Sequence, residues 1–189
     1  MEAKITEDNK KVFAVSFKGI DVGLANALRR YAINSVKSFA IDTVTFYENS
    51  SAMFDEYIAH RIGLVPIKTP TKGYHEGDNV MFSLEAEGPK VVYSGELKSA
   101  EKDVSAMEGI PIIKLGKAQR LRIEGKAIMG NSQQHAKFQP GLVTYEEDGD
   151  TFKFYIESFG QMPPKEIIKR ACDALTGDLK EAAKAAKKL

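Results

Sequence analysis

Apolar residues recur at every second position across Val12–Phe17, where Phe13, Val15 and Phe17 share one face. That period is the mark of a half-buried strand. The polar run Thr6-Glu7-Asp8-Asn9 before it supplies turn chemistry, so the first segment reads as a hairpin. Gly19 ends the strand, and Asp21 stands where a helix cap is needed. The helix behind it carries Leu24, Ala27, Leu28 and Tyr31 on its apolar positions, with Arg29 and Arg30 towards its C-terminal half. Phe39–Tyr47 returns to strand composition, rich in β-branched and aromatic residues. A short helix follows with both ends written in sequence. Ser51 is its expected cap, Asp55 and Glu56 lie near its positive end, His60 and Arg61 lie near its negative end, and Gly63 and Pro66 stop it.

The middle of the chain is strand-like. Thr69–Asn79, with Pro70, Gly73 and Gly77, reads as a surface loop. Val80–Glu87 alternates Val80, Phe82, Leu84 and Ala86 with polar partners; Gly88-Pro89 then makes a turn, and Lys90–Leu97 is the expected return strand. Ile110–Leu115 and Arg120–Met129 are two more strands, and Leu142–Tyr145 and Thr151–Glu157 flank an acidic turn as a third hairpin. Behind Pro163 and Pro164 the apolar positions are Ile168, Cys172, Leu175, Leu179, Ala182, Ala186 and Leu189, spaced alternately four and three apart. That alternation is the seam of two packed helices. Continuous from Lys165, the helix is about 37 Å long at about 1.5 Å per residue. Gly177 interrupts it at a cost of about 1 kcal/mol relative to alanine, which predicts a kink or break there. The pattern is α+β, with front and back helices packed together and a β-rich stretch inserted between them. The expected division is 1–44 plus 152–189, with 45–151 as the insertion.

Composition narrows the function. Lys and Arg total 27 against 26 Asp and Glu, a formal charge of +1. Proteins that grip nucleic acid by its backbone carry a strong positive excess, so autonomous binding is disfavoured. The lysines Lys180, Lys184, Lys187 and Lys188 read as the solvated back of an amphipathic helix. The longest uncharged run, Ala127–Ala136, is ten residues, against the roughly 20 apolar residues a membrane helix needs. Met1-Glu2-Ala3-Lys4 leads into a polar stretch, so no secretory signal is expected. Cys172 is the single cysteine, which forbids an intrachain disulfide and any all-cysteine metal site and fits a reducing cytoplasm. Its place on the apolar seam makes it a core residue in this reading.

Candidate chemistry is sparse. No phosphate loop, zinc-protease helix or nucleophile elbow is present. Glu56 and His60 are four apart on one helix face and would supply two ligands of a metal site without a third; an ion pair or a helix-end interaction is the plainer reading. The charge-dense block Asp55-Glu56-Tyr57-Ile58-Ala59-His60-Arg61 is either a solvated face or a polar contact surface for another protein. Arg29 and Arg30 either compensate the helix end or bind a partner's carboxylates or phosphate. The seam of the last helix is either intramolecular core or subunit interface.

Three sets of residues add a family resemblance. Asn26-Ala27-Leu28-Arg29-Arg30 lies on the first helix. Glu48-Asn49-Ser50-Ser51 leads into Asp55–Arg61 and then Ile62-Gly63-Leu64-Val65-Pro66-Ile67. Later come His135-Ala136-Lys137-Phe138-Gln139-Pro140 and Glu157-Ser158-Phe159-Gly160. In this order and spacing they resemble the D subunits of archaeal DNA-directed RNA polymerase, counterparts of bacterial alpha and of the third subunit of eukaryotic RNA polymerase II. The resemblance implies a discontinuous two-helix and sheet dimerisation domain with an inserted β-rich domain. It implies a non-catalytic, cytoplasmic assembly platform that pairs with the small L subunit, is joined by N and P, and docks B, the second-largest of the polymerase subunits. On it, Leu24, Leu28, Tyr31, Ile168, Cys172, Leu175, Leu179 and Ala182 become the expected L interface. Arg29, Arg30, Asp55, Glu56, His60 and Arg61 become the expected docking residues for the large subunits, with Arg30 as the family's contact to B. No membrane is involved, and DNA is met only through the assembled enzyme. No cofactor is expected, since the cysteines that bind an iron–sulfur cluster or zinc in some relatives are absent here; the catalytic magnesium belongs to the largest subunit. The alternatives from other classes are an alpha-like homodimer that binds nucleic acid, and a small metal enzyme using Glu56 and His60.

Overall fold

A computed structural model describes residues 1–75 and 77–188. Leu189, the last position of the expected seam, lies outside them. In chain order the elements are β1 (Glu2–Asp8), β2 (Val12–Lys18), α1 (Val22–Asn34), β3 (Ser38–Asn49), α2 (Asp55–Gly63), β4 (Asn79–Glu87), β5 (Lys90–Tyr93), β6 (Lys98–Ser99), β7 (Pro111–Leu115), β8 (Arg120–Gly130), β9 (Gly141–Asp148), β10 (Thr151–Ser158) and α3 (Pro164–Ala186). Two compact units result: a split unit, Met1–Lys37 with Asn131–Leu189, and an inserted unit, Ser38–Gly130.

The split unit is a four-stranded antiparallel sheet, order β1-β2-β10-β9, with α1 and α3 packed together against it. Alternation along the strands turns Phe13, Val15, Val143, Phe152, Phe154 and Ile156 inward, where they meet Ala25, Leu28 and Ala32 of α1 and Ile167, Ile168 and Ala171 of α3. Edge-to-face contacts of Phe17 with Phe154 and of Tyr145 with Phe152, both 5.6 Å between centroids, fill this core. The Asp21 carboxylate caps α1, accepting from the Leu24 amide at 2.7 Å. Gly141 lets β9 run close to β10: any Cβ there would collide with the Glu157 carbonyl.

The inserted unit holds a second antiparallel sheet, order β3-β8-β4-β6, a two-stranded sheet of β5 and β7, and α2. Its core joins Phe39 and Ile41 of β3, Ile58 and Ile62 of α2, Phe82 and Leu84 of β4 and Leu121 and Ile123 of β8.

Several expectations need correction. The β9–β10 pairing and the β3–β8 pairing put the unit boundaries at 37/38 and 130/131 rather than 44/45 and 151/152. The first hairpin is made by β1, which the chemistry of Thr6–Asp8 hid: those residues are strand, and the turn begins at Asn9, whose side-chain oxygen accepts from the Lys11 and Val12 amides. Lys90–Leu97 does not return along β4. Both edges of β4 are taken, by β8 and β6, so β5 pairs with β7, and Ser94–Glu96 turns as a short 3-10 segment. Ser51 does not cap α2, whose cap position is Phe54; the Ser51 hydroxyl donates to the Asn49 side chain at 2.6 Å instead. Finally, α3 runs unbroken through Gly177, about which a Cβ would meet nothing within 4 Å.

Candidate subunit-docking surfaces

Of three faces, the first two carry the residues singled out by sequence. On the first, α1 and α3 lie side by side, and the structure separates residues that serve the unit's own core from residues turned outward. Leu28 and Ile168 are buried, Leu24, Tyr31 and Leu175 are half-buried, and Cys172, Leu179 and Ala182 are exposed. Cys172 is therefore not a core residue. The packed stripe of α3 is Ile168, Ala171 and Leu175, whereas the expected seam is Ile168, Cys172, Leu175 and Leu179. At about 100° per residue the two stripes share Ile168 and Leu175 and then diverge. Partial desolvation of the sulfur, followed by the Asp173 charge, pushes the Cys172 thiol above its ordinary pKa and keeps it protonated.

Arg29 and Arg30 part company one residue apart on α1. The Arg29 guanidinium donates to the Asn26 side chain at 2.9 Å, one turn back on its own helix. Arg30 is exposed, and among the described residues it has no hydrogen-bond or ion-pair partner. The blocks His135–Pro140 and Glu157–Gly160, far apart in sequence, meet in the same unit. The Phe159 amide donates to the Pro140 carbonyl at 3.0 Å, and the Gln161 side-chain amide donates to the Gln139 carbonyl at 2.9 Å. Gln161 is buried, and among the described residues its own Oε1 has no hydrogen-bond partner. These blocks build the corner that delivers β10 into α3.

The second face is α2 in the inserted unit. Ile58 and Ile62, four apart, are buried and fix which way the helix turns. Asn49 organises the approach to it: its side-chain nitrogen donates to the Met53 carbonyl at 2.9 Å and to the Asp55 carboxylate at 2.7 Å. Arg61, expected as a docking residue, is engaged within the unit, its Nε donating to the Ile112 carbonyl at 2.8 Å and an Nη to the Pro111 carbonyl at 2.6 Å. Glu56 and His60 are exposed, as is Asp55. Among the described residues no three His, Cys, Asp or Glu side chains gather in a way that would hold a metal ion.

Sequence reasoning passes over Phe54 and reads Tyr57 only as a member of the charge-dense block, so the aromatic pair the two make is missed. They are 71% and 64% exposed, lie 6.3 Å apart between ring centroids, and line an open groove of about 630 Å³ with Met53, His60, Arg61 and Ile113. Bare aromatic surface of this kind is characteristic of interfaces. The available signal is two aromatics three apart bracketing the acidic start of α2.

The third face is the outer side of the β3–β8 ladder. Tyr47 donates to Glu124 at 2.8 Å and lies 5.4 Å beneath the Arg122 guanidinium. This cluster ties β3 to β8 through one hydrogen bond and one cation–π contact.

Two helices lie on one side of a sheet, with a β unit inserted between their halves of chain, and comparison with known proteins shows the family that shares this plan. Residues 14–179 match the family described as the RNA polymerase Rpb3/Rpb11 dimerisation domain. The DNA-directed RNA polymerase subunit Rpo3 of Methanocaldococcus jannaschii is 47% identical over 155 residues, covering 82% of this chain and 80% of that protein. The Rpo3 subunit of Pyrococcus horikoshii is 44% identical over 153 residues, covering 77% of this chain and 59% of that one. That of Halobacterium salinarum is 34% identical over 225 aligned positions, covering 89% and 90%. The chain belongs to the Rpb3/Rpb11 dimerisation family and, within it, to the archaeal Rpo3 subunits of DNA-directed RNA polymerase. No helix among the described residues is long and apolar enough to cross a membrane.

Proposed function

We propose that this chain is the non-catalytic platform of an archaeal RNA polymerase, pairing through α1 and α3 with the small L subunit. The N and P subunits join it, and B docks on surfaces that include Arg30 and the α2 block. The observation that carries this reading is the outward seam of α3: Cys172, Leu179 and Ala182 stay exposed although the sheet beneath already has its apolar cover. Fully burying a leucine is worth about 1.5–3 kcal/mol, and Leu179, 60% exposed, leaves most of that to a partner. Arg30 supports the docking role because it is the charged side chain of α1 left open to form a new charge-assisted bond. The reaction's metal-binding carboxylates and its contacts to DNA would lie on other subunits, and the place of work is the cytoplasm.

Light scattering on a sizing column, with this chain alone and mixed with L, tests the pairing. A one-to-one complex that Leu179→Asp dissolves, with the circular dichroism of the free chain unchanged, is the expected result. A tight homodimer indifferent to L would overturn it in favour of a self-pairing, alpha-like protein.

A further inference from the structure

Helix α3 leaves its core abruptly. Ala174 and Leu175 are half-buried, and every described residue from Thr176 to Lys188 is exposed. Packing therefore does nothing to orient the segment that carries Leu179, Ala182 and Ala186. Gly177 stands at the start of that segment, in the middle of the helix, with open space where its side chain would be. No close approach calls for glycine there, and glycine is the residue at which an exposed helix bends most readily.

One residue further on, the Tyr31 hydroxyl of α1 donates to the Asp178 carboxylate at 2.8 Å. Apart from the backbone ladder of α3 itself, this is among the described residues the one hydrogen bond that ties the exposed segment to another element of the split unit. Its donor is well anchored, since the Tyr31 ring is half-buried and packs against the core of Leu28, Ala32 and Ile168. Its acceptor lies three residues beyond Leu175, just past the end of the packed stripe, where the helix meets water. The bond to the carboxylate, followed by burial and the Asp178 charge, raises the Tyr31 pKa above its ordinary 10.0, so the hydroxyl keeps the proton it donates.

We infer that the Tyr31–Asp178 hydrogen bond splints α3 across Gly177 and so presents the exposed half of the helix in the orientation its partner receives. The inference rests on the proposed pairing with L and names the residue that positions the pairing helix. Tyr31 thus acts on the partner through α3. The bond lowers the ordering that α3 must undergo on docking, which is how preorganisation adds affinity. A flexible glycine held by a removable bond differs from a rigid helix in one testable respect: stiffening the glycine makes the bond dispensable.

Hydrogen exchange across 176–186 in the free chain, and titration with purified L, test this for Tyr31→Phe, Asp178→Ala, Asp178→Asn and Tyr31→Phe/Gly177→Ala. Tyr31→Phe keeps the ring in the core and removes the donor alone. It and Asp178→Ala should speed exchange and weaken binding about threefold to tenfold, the reach of one net hydrogen bond. Asp178→Asn, whose amide oxygen still accepts, should lose less. Adding Gly177→Ala to Tyr31→Phe should restore both exchange and affinity. Unchanged exchange in Tyr31→Phe, faster exchange without loss of affinity, or no rescue by Gly177→Ala would each overturn the inference. If the unaltered chain does not bind L, the pairing reading fails and the docking half of the inference falls with it; the exchange arm still decides whether the splint exists.

Discussion

The inserted unit and the split unit contrast in how they treat their helices. In the inserted unit, α2 is nine residues long, buries Ile58 and Ile62, and is pinned by Arg61 to two carbonyls at β7. In the split unit, α3 is 23 residues long and buries Pro164, Ile167, Ile168 and Ala171, all within its first eight positions. One helix is consumed by its own core; the other is anchored at one end and offered at the other. A partner-facing element needs both properties, because an anchor makes the surface definite and exposure leaves its apolar area available.

The largest effects should come from breaking the closed unit. Ile62 is fully buried among Phe39, Phe82 and Leu121, so Ile62→Ala should cost about 2–5 kcal/mol in urea unfolding. Affinity for L per folded molecule should be unchanged, since α2 is not part of the surface proposed for L. Leu175→Asp probes the border of the two stripes of α3. It places a carboxylate where the unit packs and on the surface proposed for the partner, so free-chain stability should fall by about 1–3 kcal/mol. Pairing with L in a sizing-column assay should disappear as well. Leu179→Asp should separate the two, leaving stability nearly intact while abolishing pairing, and that separation is what the contrast between anchor and offered face demands.

Legibility of the sequence follows the same divide. Where one side chain answers to one demand, pattern reading succeeds: the period of two in β2 and β4, the Asp21 cap and the proline start of α3 stand in the structure as expected. It fails where neighbours compete. Ser51 has the right chemistry for a cap, but Asn49 claims its hydroxyl first. Lys90–Leu97 looks like the second arm of a hairpin, and only the sheet order reveals that β4 has no free edge. On α3 the apolar spacing shows that a seam exists but not which of two overlapping stripes faces inward, so spacing alone puts Cys172 on the wrong one. Arg61 resembles Arg30 in sequence, yet one is tied to backbone carbonyls and the other is open. The exposed pair Phe54 and Tyr57 is visible as residues but not as a groove, because the groove needs β7 beside it.

Smaller effects test the polar residues on each side. Arg30→Ala should leave stability and L pairing within error and weaken capture of B by the preformed pair about tenfold, the scale of a charge-assisted bond. Pull-down titration of B against the pair measures it, and undiminished capture would remove Arg30 from the docking surface. Arg61→Ala should behave oppositely, lowering the stability of the free chain because two carbonyls of β7 lose their donors.

The smallest effect lies at Glu96, which closes the turn after β5 within the inserted unit. Its carboxylate meets the Lys90 ammonium at 2.6 Å and accepts from the Tyr93 amide at 3.1 Å. Burial pushes its pKa up, but the bonds from Lys90 and Tyr93 and the Lys90 charge outweigh that, so the net displacement is below the ordinary 4.5. A carboxyl whose pKa is depressed by folding adds stability that is fully present above its unfolded value and lost as pH falls through the folded one. Urea midpoints should therefore differ between the parent and Glu96→Gln at pH 7 and converge as pH falls below the depressed folded-state pKa, where both side chains are neutral. Affinity for L should not respond to Glu96 at any pH, whereas it should respond to Tyr31. Two ties to a carboxylate, of similar length, would then differ only in whether the element they hold is closed in or held out.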